Sequence, residues 1–375
     1  MVRGIGRVGS SWSCLRGAAA LLIAMNCSDA FAQAGPTAAD AAPAEEDALT
    51  RLEKSPWLLA PVFQSNPKLG TAVGALAGYV HYFDAKSRPS IFALMGQYTS
   101  TESIIAGAQA RASWAEDHQR LIAGMMYGYI KNDYSDYLDT GVPLQSNSEV
   151  KGLIARYTFR VRGNWFLGAQ GLYQNFGIGG ETQFDQMVLD TLGAVPYKSG
   201  GLGLVGQYDS RDNENSPTEG WLATLNNMAY RESLGGESDF DVIRADLRYY
   251  VPHGSGNVLA FRQLNHFTAD APTQVKAAVQ LRGYKLGQYN SDYMSSIEVE
   301  ERYKLAPKWT ATVFLGIACV YGGGKSCSDS ANQYPNGGFG VQYVIKPKEG
   351  IVMSLEYAQG KDENNGVLLK MGYAY

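Results

Sequence analysis

The chain holds 375 residues, with 43 glycines, 24 tyrosines and a formal net charge of -4. The near-neutral balance gives no electrostatic reason to expect nucleic acid, and a slightly negative mean hydropathy excludes a bundle of membrane helices. Glycine and tyrosine enrichment fits strands joined by tight turns and flanked by aromatic girdles, so one large all-β unit is expected rather than two or three ordinary domains.

Residues 1–32 read as a cleaved export signal. Arg3, Arg7 and Arg16 precede the apolar run from Ala18 to Met25, and Ala30-Phe31-Ala32 supplies small residues around a cleavage site after Ala32. The run is too short to cross about 30 Å of hydrocarbon as an anchor. Cys27 would suggest a lipoprotein cysteine, but Asn26 before it is larger than such processing needs. Residues 33–54, rich in Ala, Pro and acidic side chains, cannot bury enough apolar surface to fold alone and read as a periplasmic tether, disordered or with a helical turn or two. Cys14 and Cys27 leave with the signal. Cys319 and Cys327 stay, and an oxidising compartment favours a local disulfide between them.

From residue 55 to 375 alternation with a period of two dominates, and no helical period of useful length is visible. Strands are expected near 56–64, 70–83, 90–100, 103–115, 119–131, 149–162, 165–178, 201–211, 220–232, 240–251, 257–268, 290–305, 308–321, 337–346, 350–360 and 366–375. In the segment at 240–251, Ile243, Ala245, Leu247 and Tyr249 alternate with Arg244, Asp246 and Arg248, whose charges need a wet or paired interior. Long connections (132–148, 179–200 and 269–289) fall on one side and short ones (116–118, 163–164 and 347–349) on the other. An even count of about sixteen strands with that asymmetry predicts a single transmembrane antiparallel β-barrel with both ends in the periplasm. Tyr373 and Tyr375 end the chain on an aromatic pattern similar to the terminal signal of outer-membrane barrels.

Two segments carry more than barrel geometry. Asp209-Ser210-Arg211-Asp212-Asn213, followed by Pro217 and Gly220, joins two strands at the periplasmic rim; Asp and Asn bond their own backbone, and Pro and Gly preset a reversal, so a good turn alone would explain it. Arg282-Gly283-Tyr284 lies inside the long external connection and suggests a loop that folds into the lumen, its planar guanidinium gripping a carboxylate. Glu300 or Glu298, inward on the next strand, is the expected partner, with lumen water screening the pair. Glu301 falls on the lipid side, near an interface.

With these motifs in this order, residues 201–375 resemble the BamA/TamA superfamily, the bacterial surface antigen barrels. The resemblance implies sixteen strands, an arginine-glycine-aromatic motif on the sixth external loop (here Arg282-Gly283-Tyr284), and acidic or Phe-x-Asp/Gly positions on the following strands (here Glu300-x-Arg302 and Phe314-x-Gly316). It also implies the turn between the eighth and ninth strands, matched by Asp209 to Gly220. Gly316 departs from the pattern, since several members place an aspartate there, which leaves Glu298 and Glu300 as the acids. Only 22 residues separate Ala32 from Ser55, whereas one POTRA domain would need about 75; the expected form is the minimal one, a barrel without POTRA domains.

Three functional classes follow. An enzyme is not expected: His81, His118, His253 and His266 lie in or near turns and strand ends without a nucleophile beside them, and no cofactor or metal spacing is present. A passive channel or structural surface barrel would suit the inward charges Arg244, Asp246, Arg248, Arg262, Glu298 and Glu300, but a docked Arg282 loop would obstruct it. A barrel that perturbs or opens to the membrane, helping to insert or move a protein or lipid client, is what the resemblance implies. Its surroundings would be outer-membrane lipid and lipopolysaccharide; the client and the oligomeric state stay open.

Overall fold

The computed structural model describes residues 55–66, 70–134, 144–191, 196–272, 275–284, 289–361 and 364–371. The expected signal with Cys14 and Cys27, the expected tether, and the terminal Tyr373 and Tyr375 lie outside these.

Sixteen strands form one antiparallel sheet in chain order: β1 (Trp57–Asn66), β2 (Gly70–His81), β3 (Ser90–Thr99), β4 (Ile104–Trp114), β5 (Gln119–Tyr134), β6 (Leu144–Arg162), β7 (Trp165–Gly180), β8 (Tyr197–Asp209), β9 (Gly220–Tyr230), β10 (Phe240–His253), β11 (Asn257–Ala269), β14 (Tyr293–Ala306), β15 (Trp309–Tyr321), β16 (Gln333–Lys346), β17 (Ile351–Gln359) and β18 (Asn365–Met371). The pair β12 (Ala277–Ala278) and β13 (Asn290–Ser291) forms a separate ribbon inside the connection from β11 to β14.

The sheet curls round on itself. Arg88, before β3, reaches Asp209 at the end of β8, and Asn215, after β8, donates to the Glu349 carbonyl between β16 and β17. Lys346 donates to the Ser55 carbonyl just ahead of β1, and Ile351 of β17 packs with Leu58 of β1 and Val80 of β2. Such links between strands far apart in the order bring the two ends of the sheet towards each other, as in a barrel. Backbones of β1 and β18 approach within 8 Å, without ladder bonds between them among the described residues.

Alternation places apolar side chains outward. Leu204 is 69% exposed and Leu315 68%, which in water would be costly and in hydrocarbon is favourable. All five tryptophans among the described residues stand at strand ends on one rim: Trp57, Trp114, Trp165, Trp221 and Trp309. Four have a tyrosine from the neighbouring strand against them, with ring centroids 3.8 to 5.1 Å apart (Trp57–Tyr79, Trp165–Tyr208, Trp221–Tyr249 and Trp309–Tyr343). Aromatic rings with an apolar body and a polar tip gather where membrane meets water, so this girdle marks one membrane interface, on the rim expected to face the periplasm.

The structure corrects the reading of the connections at three places. β5 runs to Tyr134 and β6 begins at Leu144, so the strands project past the apolar zone and the loop between them is shorter than 132–148. β8 begins at Tyr197. Between β7 and β8 lies a helix, α1 (Gln183–Thr191), where no helix was expected. Two turns are too short to show a period, but its capping pattern was legible: Thr182 Oγ1 accepts from the Asp185 amide at 3.1 Å and donates to the Asp185 carboxylate at 2.6 Å.

The periplasmic turns also brace one another. Ala115, Glu116 and Asp117 all take positive φ (57, 57 and 62°), which non-glycine residues adopt only when surroundings hold them. Asp84, between β2 and β3, supplies part of the hold, accepting from the Glu116 amide at 3.1 Å and from Ser87 Oγ at 2.7 Å. The bond from Ser87, with those from the amides, pulls the Asp84 carboxyl down to about 2. A lowered folded value means that its contribution is complete above the ordinary aspartate range near 3.9 and disappears as pH falls through about 2. Hydrogen exchange at the Glu116 amide should therefore be constant from pH 7 to about 4, after correction for intrinsic rates, and lose protection only below that. Loss of protection already near pH 5 would show that Asp84 does not hold the turn.

Candidate functional site

The connection from β11 to β14 carries its own alternation. Val275, Ala277, Val279 and Leu281 are all buried, and the last three pack with Leu264, Met294, Ala318, Val320 and Tyr334 on the inner face of the wall. Burial of that apolar edge draws the external loop into the lumen, because these side chains would otherwise face water. At the end of the buried run stand Arg282, Gly283 and Tyr284.

Arg282 has three carboxylates around it. Its Nη1 donates to Glu300 at 2.6 Å and to Glu356 at 3.2 Å; its Nη2 and Nε donate to the two oxygens of Glu298 at 2.9 and 3.3 Å. The guanidinium also lies over the Phe314 ring, 3.4 Å from its centroid. Glu300 is held in turn by Arg302 Nε at 2.7 Å, Glu356 by Lys370 Nζ at 3.0 Å, and Glu298 by Asn336 Nδ2 at 3.1 Å. Three cations, Arg282, Arg302 and Lys370, thus balance three acids. The side chains of Glu300 and Glu356 are fully buried and that of Arg282 is 9% exposed, so the expectation that water would screen this pair is corrected: packed loop residues, not solvent, surround it.

Two neighbours make room for this geometry. Gly283 takes φ +89°, and a Cβ there would press on the Ala358 backbone at 3.3 Å. Gly316, the departure from the family pattern, leaves space: a Cβ would lie 2.5 Å from Asn336 Oδ1 and 3.2 Å from Glu298 Cγ. Tyr284 then fastens the loop to β16 and to the last hairpin, donating to the Pro335 carbonyl at 2.6 Å and accepting from the Lys361 amide at 2.7 Å.

Glu356 escaped sequence reasoning. The signal was present, since Ser354 and Glu356 alternate with Met353, Leu355 and Tyr357, but strand order alone did not say that β17 faces the same loop as β14.

The second motif closes the periplasmic end. Asp209 accepts from Arg88 Nη1 and Arg120 Nη1, each at 2.8 Å, and from Arg211 Nε at 2.9 Å. Asp212 caps the turn, accepting from the Thr218 amide at 2.9 Å and Thr218 Oγ1 at 2.6 Å. Gly220 takes φ +99°, with Ser210 O only 2.4 Å from where its Cβ would stand. The Pro217 carbonyl accepts from Arg302 Nη1 at 2.9 Å, so Arg302 joins the turn to the Arg282 site through Glu300. Although burial alone would raise it, Arg111, Arg88 and Arg211 hold the Glu214 carboxyl in this turn below its ordinary value. Asp246 collects Arg248 and Arg262, each at 2.9 Å, which pairs three of the inward charges.

Cys319 and Cys327 form a disulfide with Cα atoms 5.6 Å apart. Its loop is also held by bonds between Gly322 and Lys325 and by Gln333 Nε2 on the Cys327 carbonyl at 2.7 Å. Replacing both cysteines with serine should shift unfolding by no more than about 2.5 kcal/mol, the loop-closure entropy of so short a crosslink. A larger loss in urea unfolding would show that the disulfide, not those bonds, holds the loop. Elsewhere, His253 meets Glu301 at 2.9 Å on the periplasmic rim, which agrees with the interface position expected of that glutamate.

Residues 129–293 match the Omp85 superfamily domain, a stretch that holds both the Asp209 turn and Arg282-Gly283-Tyr284. No curated protein matches the chain. Among solved structures, the crystal structure of BamA from Haemophilus ducreyi lacking POTRA domains 1–3 is similar at a TM-score of 0.53 and 14% identity, covering 85% of this chain and 70% of that one. CdiB from Acinetobacter baumannii (TM-score 0.56, 10% identity, 85% of this chain) and CdiB from Escherichia coli (0.56, 10%, 86%) are similar too. This chain spans 59% and 63% of their respective lengths. At these identities the structures speak for the fold alone, a sixteen-stranded sheet like the barrels of BamA and CdiB.

Proposed function

We propose that this chain, a BamA/TamA-like barrel carrying an Omp85 superfamily domain, assists the insertion or translocation of a protein or lipid client at the outer membrane. The observation that carries the reading is the docked loop. A barrel meant only to conduct has no use for Arg282 buried among Glu298, Glu300 and Glu356, nor for a turn from 210 to 219 bonded across to Glu349. Both place protein where a channel needs water. The approach of β1 and β18 without ladder bonds among the described residues supports a wall that can part on its lipid side, where the outward apolar face would meet lipid and lipopolysaccharide.

The passive-channel reading rests on the inward charges, most of which are paired within the wall. In planar bilayers the intact protein should show little steady conductance, and deletion of residues 269–289 should raise it severalfold. Steady conductance of the intact protein, equal to that of the deletion, would favour the channel. Depleting the protein in its source bacterium and quantifying outer-membrane proteins and lipids then identifies the client; an unchanged inventory would refute an assembly role.

A further inference from the structure

Charge at the periplasmic end is not balanced as it is around Arg282. Arg88, Arg120, Arg160 and Arg211 share Asp117 and Asp209, Arg111 reaches Glu214 at 3.4 Å, and Arg156 lies on the adjoining wall. Among the described residues, five of these guanidinium groups share three carboxylates, and Arg156 stands beside them on Gln170. Like charges gathered out of bulk water repel, and a fold keeps them together only where an anion or abundant water offsets them.

A cavity of about 40 Å³ opens within this cluster, on the inner wall at the height of the rim aromatics Trp114 and Tyr157. Arg111, Arg120, Arg156, Ser113 and Thr158 line it, with Glu214 the one carboxylate. At about 10–15 Å³ for each water-sized centre, the space takes about three such centres, the bulk of one tetrahedral oxyanion. The side chains of Arg111 and Arg120 are 14% and 13% exposed, so they are held in place yet reachable. Arg120 is fixed by Asp117 at 2.6 Å and stacked 3.8 Å over Phe166; Arg156 is fixed by Gln170 at 2.9 Å. Anchored guanidinium groups with the Thr158 hydroxyl beside them on the same wall are a donor set that suits phosphate oxygens, while the Ser113 hydroxyl is engaged by Asp117 at 2.7 Å.

We propose that this cavity binds a phosphate group, either the free ion or the headgroup of a phosphomonoester lipid. Glu214 competes with it for Arg111, so the site is weak when empty of ligand and the carboxylate must yield as the anion enters. The inference is independent of the client reading above.

Phosphorus NMR of inorganic phosphate, titrated with the whole barrel in non-ionic detergent at constant ionic strength, tests it. Wild type should broaden the phosphate line saturably, and the double variant R111Q/R156Q should weaken binding at least about tenfold, the loss of two charged donors. Glu214→Gln removes the competitor and should tighten binding about threefold or more; it decides the matter should the double variant not fold. No saturable broadening by wild type, or the same affinity in R111Q/R156Q or in Glu214→Gln as in wild type, would overturn the site. Displacement of bound phosphate by short-chain phosphatidic acid assigns a lipid headgroup. Failure of that lipid to compete, with phosphate still bound, assigns the free ion.

Discussion

Arg282→Ala is expected to destabilise the barrel by about 3–5 kcal/mol and to free the external loop. Removing one member of a buried ion cluster strands its partners, and the cost is the desolvation of charges left unpaired rather than the loss of one attraction. Here Glu298, Glu300 and Glu356 lose a shared donor at 2.6 to 3.2 Å, while Arg302 and Lys370 remain for two of them. Loss of the guanidinium over Phe314 adds a contact of about 0.5–2 kcal/mol. Arg282→Lys keeps the charge but not the fork, so it should recover only part of the loss. Urea unfolding of the purified barrel gives the magnitude, and protease added outside whole cells reports the loop. Because Glu300 serves Arg302 as well, Arg282→Ala with Glu300→Ala should cost less than the sum of the singles. A single variant within about 1 kcal/mol of wild type, its loop still protected, would refute the buried cluster.

The wall was legible in the sequence because its signal is local. Ile243, Ala245 and Leu247 against Arg244, Asp246 and Arg248 fix which face meets lipid whatever strand lies alongside. Arg282 could be read for a similar reason, since a loop arginine with glycine and an aromatic beside it has few uses, and Glu298 and Glu300 lie close in sequence. Glu356, 74 residues away, and Lys370 beyond it come to the same place only when the sheet closes, and closure is a property of the whole sheet. Dryness was missed for the same reason. The inward charges suggested water, but the apolar edge Val275, Ala277, Val279 and Leu281, which excludes it, sits in a connection that sequence marks only as long. Helix α1 was a local signal passed over: Thr182 and Asp185 are spaced as a cap.

At the periplasmic end the residue expected to matter most is Asp209, whose role as a turn former understates its position. Its side chain is fully buried and accepts from Arg88, Arg120 and Arg211 at 2.8 to 2.9 Å. Those three cations stand in a cluster rich in arginine, so Asp209→Ala leaves Arg88, Arg120 and Arg160 on Asp117 and Arg211 without its carboxylate. A loss of about 3–5 kcal/mol is expected, with the turn from 210 to 219 released because Arg211 no longer binds back on itself. Asp209→Asn keeps the shape and two acceptor sites of the oxygen but not the charge, and should fall between alanine and wild type. The distinguishing variant is Arg88→Met in the Asp209→Ala background. If repulsion among the arginines is the cause, removing one should restore part of the lost stability, although Arg88→Met alone should lower it. Unfolding midpoints of the four proteins decide this. Restoration by Arg88→Met would establish Asp209 as the counter-ion that keeps the periplasmic arginines together, whereas simple addition of the two losses would mean that the aspartate serves the turn alone.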